Sequence, residues 1–200
     1  LPKYRGFAPL VNMLVNGEKK IGVTALKASN EYDKGDIISQ KSVEISYPLK
    51  IKKAIDLILP LYSDLVIGIS NEIISGKRLS LKAQNEEDAS YSLWRNFYDY
   101  QINWTHNAEK IERFIDAVGD PYAGAHTYLN NEEVVILEAT SVDDVVVEDR
   151  EEHVGKVIFL AEGLPIVVCG KGLLQITSIV DKSGNELTNR ISFRSRFGLH

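Results

Sequence analysis

The chain has 200 residues, of which 44% are hydrophobic and 26% charged, and such proportions are typical of a globular protein with one large domain or two modest ones. Its net charge of -5 argues against a protein that binds nucleic acid by neutralising many phosphates, because that mode of binding needs clustered Lys and Arg. No uninterrupted apolar run reaches the roughly 20 residues of a membrane-spanning helix, so we expect a soluble chain that does not interact with membranes.

Two short runs rich in β-branched residues, 21–28 and 36–45, are predicted to form strands. The loop between them, "NEYDKGDII", carries Asp33 two residues before Gly35. Asn, Asp and Gly tolerate the dihedral angles of tight turns, so a turn residue is the simplest interpretation of Asp33. A catalytic carboxylate stays open, whereas a calcium loop fits poorly because the alternating oxygen ligands and the Glu at its twelfth position are missing.

After residue 48 the apolar residues recur at steps of three and four, which predicts a helix that packs on a sheet. The apolar stripe consists of Ile51, Ile55, Ile58, Tyr62, Leu65 and Ile69. Pro60 is expected to kink or divide this helix, and "SGK" at 75–77 to end it. The polar, aperiodic segment 82–92 then predicts a connector between two packed units.

The second half begins with one predicted helix, for which Thr105 is the expected cap and the Asp-Pro pair at 120–121 the expected end. Its apolar face is predicted to hold Ala108, Ile111, Ile115 and Val118. From residue 124 on, turn signals separate five strand-like runs, "AHTYL", "EVVILEATSV", "GKVIFLA", "LPIVVCG" and "GLLQITSIV". Several short strands at this spacing predict a small β-barrel.

The single cysteine and the histidines indicate no metal site. Cys169 lies in an apolar run and cannot form an internal disulfide, so we interpret it as a buried strand residue and expect a cytoplasmic protein. The histidines are scattered without an HxxxH or CxxC pattern, so we predict no bound metal. They are His106, His126, His153 and His200.

Several longer segments recur in a recognisable order. The first half holds "LPKYRGFAPL", "NGEKKIGVT" and "DKGDIISQ", and the second holds "INWTHNAEKIERFIDAVGDPYAGAHTYL" and "VVCGKGLLQI". In order and spacing they resemble the LPxYRGxxP, NGxxxxGVT and DxGxIxxQ motifs and the C-terminal domain of the folate-dependent formyltransferases. The resemblance implies an α/β fold, with the C-terminal part of a Rossmann-like formyltransferase domain at 1–82, a linker at 83–103 and a small OB-like β-barrel domain at 104–198.

The same resemblance implies site residues. Asp33 falls on the family's catalytic aspartate, the first Asp of DxGxI. Asn30, Glu31 and Tyr32 fall where the family's loop presents backbone groups to the pterin ring of the formyl donor, 10-formyltetrahydrofolate. The family's catalytic Asn and His precede the LPxYRG motif, so the resemblance implies that this chain lacks them together with the first half of the catalytic domain. We therefore predict that the 200-residue chain alone is inactive.

The acceptor amine is predicted from charge and from the linker. The acidic segment "DDVVVEDREEH" disfavours tRNA, whereas "YSLWRNFYDYQINW" is similar to the linker of the sugar-nucleotide N-formyltransferases of bacterial polysaccharide biosynthesis. The resemblance implies a nucleotide-linked amino sugar as partner, with its diphosphate near Lys3, Arg5 and Gly6, and no nucleic acid. Two alternatives stay open: a methionyl-tRNA formyltransferase, and a non-catalytic module in which the barrel forms a homodimer.

Overall fold

The computed structural model describes residues 1–198 and divides the chain into two compact units, Leu1–Arg95 and Asn96–His200. The division falls inside the predicted linker. The part of the linker before the division belongs to the first unit, because its backbone is hydrogen-bonded to the start of the chain. The amide of Arg5, for example, donates to the carbonyl of Ser90 at 2.8 Å.

The first unit contains two small sheets and two helices. Its elements are β1 (Arg5–Gly6), α1 (Pro9–Val15), β2 (Lys20–Leu26), β3 (Ile37–Glu44), α2 (Ile51–Ile74) and β4 (Tyr91–Ser92). Strands β2 and β3 are antiparallel, with Lys20 opposite Glu44, and β1 and β4 pair in parallel. The two strands predicted in this part of the sequence are therefore confirmed.

Helix α2 runs through Pro60 without a break, so this proline does not divide it. The helix packs on β2 and β3: Leu65 is buried, and Asp64 pairs with Lys41 of β3 at 3.0 Å. By length and composition α2 is also apolar enough to cross a membrane, contrary to the expectation that no segment of the chain would qualify. The buried core helix of a soluble protein meets the same criteria, but only 6% of this apolar window is buried in α2, which contacts β2 and β3 on one side.

The described part of the second unit, residues 96–198, contains one five-stranded antiparallel sheet, two α-helices and two short 3-10 helices, Phe97–Tyr100 and Thr188–Arg190. Its elements are α3 (Ala108–Val118), β5 (Ala125–Leu129), β6 (Glu132–Val142), α4 (Arg150–His153), β7 (Val157–Ala161), β8 (Leu164–Val168) and β9 (Leu173–Asp181). The strand order is β5-β6-β9-β8-β7. All five predicted strands are confirmed, and the Asn-Asn turn between β5 and β6 has left-handed backbone at Asn130 and Asn131.

The last described residues connect the two edges of this sheet. Phe197 forms a bridge with Leu129 at the end of β5, and Arg196 forms one with Lys156 just before β7. The Phe197 ring is buried, and its centroid lies 5.3 Å from that of the Trp104 ring. The strands β5 and β7 do not pair directly, but the same short segment bridges to the chain at both edges of the sheet, an arrangement that agrees with a small barrel.

Helix α3 packs on β6, but its N-cap differs from the prediction. The cap is Asn107, whose side chain accepts a hydrogen bond from the Lys110 amide at 2.7 Å. The prediction of Thr105 is wrong, because its hydroxyl donates to the Asn103 side chain at 2.7 Å, before the helix begins. The predicted apolar face is confirmed, with buried Ala108, Ile111, Ile115 and Val118.

Candidate active site

Asp33 lies in the loop between β2 and β3. Its backbone is in the left-handed region, with φ 57°, which residues other than glycine rarely adopt. Its Oδ2 accepts a hydrogen bond from the Gly6 amide at 2.6 Å. A hydrogen bond to an ionised carboxylate is stronger than one between neutral groups, so the Asp33 side chain is held against β1.

A cleft of about 480 Å³ opens beside the Asp33 carboxylate, within the first unit. Its walls are formed largely by β2 and β3, and its volume is that of a small-molecule site. The structure brings three of the predicted site residues into the lining, Lys3, Gly6 and Asp33, and leaves four outside it, Arg5, Asn30, Glu31 and Tyr32.

Arg5 is only 1% exposed, and its guanidinium faces other protein groups. Its terminal nitrogens each lie 2.8 Å from a carboxylate oxygen of Glu86, and Nη2 also donates to Oε1 of Gln84 at 2.9 Å. The hydrogen bonds to Glu86 are the main reason that the pKa of Arg5 lies above its ordinary value. That Arg5 binds the acceptor's diphosphate stays a prediction, but in this structure its donors are directed to the protein.

The loop that precedes Asp33 is held by local hydrogen bonds. The Ser29 hydroxyl donates to the carbonyl of Glu31 at 2.7 Å, and the Glu31 carboxylate pairs with Lys34 at 2.6 Å. The side chain of Tyr32 extends into solvent, since this residue is 95% exposed. That Asn30, Glu31 and Tyr32 present backbone groups to the pterin ring stays a prediction.

Two polar contacts near the cleft were missed by the sequence analysis. Gln84 and Glu86 were assigned to a polar connector, because no sequence signal links them to an arginine about 80 positions earlier. Tyr4 donates its hydroxyl to Glu18 at 2.6 Å, and both residues line the cleft. Burial is the main cause that raises the pKa of the Tyr4 phenol, followed by the hydrogen bond to Glu18.

The groups around the cleft favour positioning and proton transfer. A carboxylate such as Asp33 can orient a neighbouring base or carry a proton. The only cysteine of the chain, Cys169, lies in the second unit, where burial raises the pKa of its thiol to about 12 and makes it a poor nucleophile. Within residues 1–198, no group of three or more His, Cys, Asp or Glu is arranged to hold a metal ion, and His200 lies outside the described residues.

Two models of known protein families match separate parts of the chain. The family described as "Formyl transferase" matches residues 1–54, and "Formyl transferase, C-terminal domain" matches residues 98–196. The chain belongs to the formyl transferase family. A methionyl-tRNA formyltransferase from Syntrophomonas wolfei is 28% identical over 200 residues, which cover 100% of this chain and 62% of that protein. The chain thus spans 62% of the length of this relative.

Solved structures with the same fold come from several kinds of protein. HypX from Aquifex aeolicus, solved in complex with tetrahydrofolic acid, aligns with a TM-score of 0.66 and 20% identity over 94% of this chain and 32% of that chain. An N-formyltransferase from Helicobacter canadensis, solved with folinic acid and dTDP-3-aminofucose, aligns with a TM-score of 0.63 and 20% identity over 88% of this chain and 62% of that chain. At these identities the likeness establishes the fold.

Proposed function

We propose that the protein is an N-formyltransferase that moves a formyl group from 10-formyltetrahydrofolate to the amine of a nucleotide-linked amino sugar. The observation that carries this proposal is the Asp33 carboxylate, which accepts a hydrogen bond from the Gly6 amide in the lining of a cleft with the volume of a small-molecule site. Two proteins with this fold support the ligand classes, since one was solved with tetrahydrofolic acid and the other with folinic acid and a dTDP-linked amino sugar.

The residues present fit a reaction driven by positioning and charge. The folate supplies the formyl group from its N10 nitrogen, and as the new amide bond forms the bond to N10 breaks, so transfer needs a neutral amine, stabilised negative charge on the formyl oxygen and a route for the amine's proton to the leaving nitrogen. Asp33 is suited to orient a catalytic histidine and to assist the movement of that proton. The backbone of Asn30, Glu31 and Tyr32 is the part of the chain that would face the folate ring.

We also propose that these 200 residues have no activity by themselves. By family resemblance, the Asn and His that act with Asp33 precede the "LPKYRG" segment, so the 200-residue chain should be inactive by itself. Losing even one donor that stabilises the formyl oxygen costs about 100-fold or more in rate. Turnover of an amino-sugar nucleotide by the 200-residue chain, above the uncatalysed rate, would contradict this assignment of roles.

The acceptor is proposed from charge. In the second unit acidic side chains outnumber basic ones, and tRNA binding would need many cationic contacts to phosphates. A sugar nucleotide needs only one or two cations, and Lys3 is an exposed candidate in the lining of the cleft. The cytoplasmic location and the homodimer stay predictions.

A second candidate is a methionyl-tRNA formyltransferase. The relative from Syntrophomonas wolfei supports this alternative, because its similarity extends over all 200 residues of this chain. Its weakness is the acidic second unit, because the affinity of a tRNA enzyme depends on phosphate neutralisation and falls steeply with salt.

The deciding experiment measures initial rates with a dTDP-linked amino sugar and with methionyl-tRNA, at low and moderate salt, in the enzyme with a complete catalytic domain. We expect the sugar nucleotide to be preferred, with a weak dependence on salt because few charges are involved. A preference for tRNA with a steep salt dependence would establish the second candidate. Turnover of neither acceptor would favour the non-catalytic module.

A further inference from the structure

The side chain of Gln84 joins two parts of the first unit. Its Nε2 donates to the backbone carbonyls of Asp33 and Gly35, both at 2.7 Å. Its Oε1 accepts from Nη2 and Nε of Arg5, at 2.9 and 3.3 Å. Only one orientation of the amide satisfies both sides, because a carbonyl cannot donate a hydrogen bond and a guanidinium cannot accept one.

The arginine end of this connection is firmly anchored. Both terminal nitrogens of Arg5 donate to Glu86, and the carbon between them lies 5.9 Å from the centroid of the Tyr91 ring. The Arg5 side chain is 1% exposed and Glu86 is 61% exposed, so the two parallel hydrogen bonds fix the orientation of the guanidinium while solvent weakens the charge interaction. Arg5 therefore gives Gln84 a fixed support.

The loop at the other end needs such support. Asp33 has a left-handed backbone, and Gly35 passes so close to Lys27 that an added Cβ would lie 1.7 Å from the Lys27 carbonyl oxygen. A backbone of this kind persists only where surrounding contacts determine it. The two hydrogen bonds from Gln84 hold peptide groups on both sides of Lys34, while the Gly6 amide holds the carboxylate.

We propose that Gln84 is a positioning residue, which fixes the loop so that the Asp33 carboxylate stays on the Gly6 amide beside the cleft. This inference rests on the proposed function, because positioning affects the rate only if Asp33 takes part in the reaction. In the same proposal, Arg5 holds the Gln84 side chain in place by donating hydrogen bonds to its Oε1. The expected signature is a loss in kcat with little change in KM, since the hydrogen bonds of Gln84 go to the protein.

Two substitutions separate the contacts of Gln84. Gln84→Glu keeps an acceptor for Arg5 and removes both donors to the loop, whereas Gln84→Met adds no charge but removes the donors and the acceptor for Arg5 together. Glu87→Gln is the matched control, because Glu87 is exposed and lies three positions further along the same segment. In the enzyme with a complete catalytic domain, we expect both Gln84 variants to lower kcat about tenfold, with donor and acceptor KM within about twofold.

Hydrogen exchange of the Gly6 amide, followed by NMR in the 200-residue chain, reports the positioning without any activity. We expect exchange to become about fivefold faster in both Gln84 variants and to stay unchanged in Glu87→Gln. Unchanged exchange in the Gln84 variants would overturn the inference, and so would faster exchange with wild-type kcat. If Asp33→Asn keeps near wild-type kcat, the proposed role of Asp33 fails instead, and amide exchange still decides whether Gln84 positions the loop.

Discussion

Two helices of this protein pack on sheets with different results. Helix α3 has 11 residues and buries five of them, whereas α2 has 24 residues and buries three. The reason lies in the sheets: α3 packs on a five-stranded sheet that residues 196 and 197 close, while α2 packs on the two strands β2 and β3. The helix that packs on the larger sheet therefore buries a larger share of its residues.

The same contrast separates stability from chemistry. The second unit holds most of the buried hydrophobic side chains, whereas the first unit carries the candidate active site on two small sheets. We expect the contacts of residues 196 and 197 with both edges of the sheet to stabilise the second unit, and the site of the first unit to act through Asp33.

The largest expected effect is on closure. Phe197→Ala should lower the free energy of unfolding of the second unit by about 3–5 kcal/mol, because it empties a buried ring site next to Trp104. Urea denaturation measures this loss. The control is Phe193→Ala, in a residue that is 52% exposed, which should cost less than about 0.5 kcal/mol. Equal losses in the two variants would show that Phe197 does not close the sheet.

The next effect concerns the chemistry of the first unit. In the enzyme with a complete catalytic domain, Asp33→Asn should lower kcat by on the order of 100-fold and change the donor KM less, because the carboxylate acts mainly in the transition state. Steady-state kinetics measure both constants. The asparagine side chain still offers an oxygen to the Gly6 amide, so urea denaturation should show little loss of stability. Near wild-type kcat would return Asp33 to the role of a turn residue.

A smaller effect depends on pH in the second unit. The hydrogen bond from Lys182 is the main reason that the pKa of Glu133 lies below its ordinary value. The pair therefore stabilises the fold at neutral pH, and this contribution is lost as pH falls through the lowered pKa. Lys182→Met should reduce stability slightly at pH 7, because the lysine is exposed to solvent, and the difference from wild type should vanish in acid. A difference independent of pH would rule out the ion pair as its cause.

The smallest effect is expected on the outer face of α2. Ile67 is 59% exposed, so Ile67→Ser should change the free energy of unfolding of the 200-residue chain by less than about 0.5 kcal/mol. Ile115→Ser in α3 is the matched comparison, because it places a hydroxyl at a buried position and should cost several times more. Similar losses in urea denaturation would mean that the face of α2 is covered in solution.

Much of the local structure follows from the sequence alone. The β-branched runs, the turn signals and the three- and four-residue steps predicted the principal strands and helices, because each pattern involves residues close together in the chain. The family motifs also pointed to Asp33 as the candidate catalytic residue. A cap is harder to place, as Thr105 shows, since two or three nearby polar residues compete for the same role and only the backbone path selects Asn107.

The tertiary structure decided the contacts that join distant segments. Arg5 could be interpreted as a phosphate ligand or as an anchor, because nothing in its own neighbourhood determines whether its charge is exposed. In the folded chain Arg5 is buried, and its guanidinium donates hydrogen bonds to Gln84 and Glu86, which lie about 80 positions further along the sequence. Likewise, the apolar character of Phe197 does not state which strands it joins. A residue's burial and partners depend on the whole packed unit, and only the assembled fold determines them.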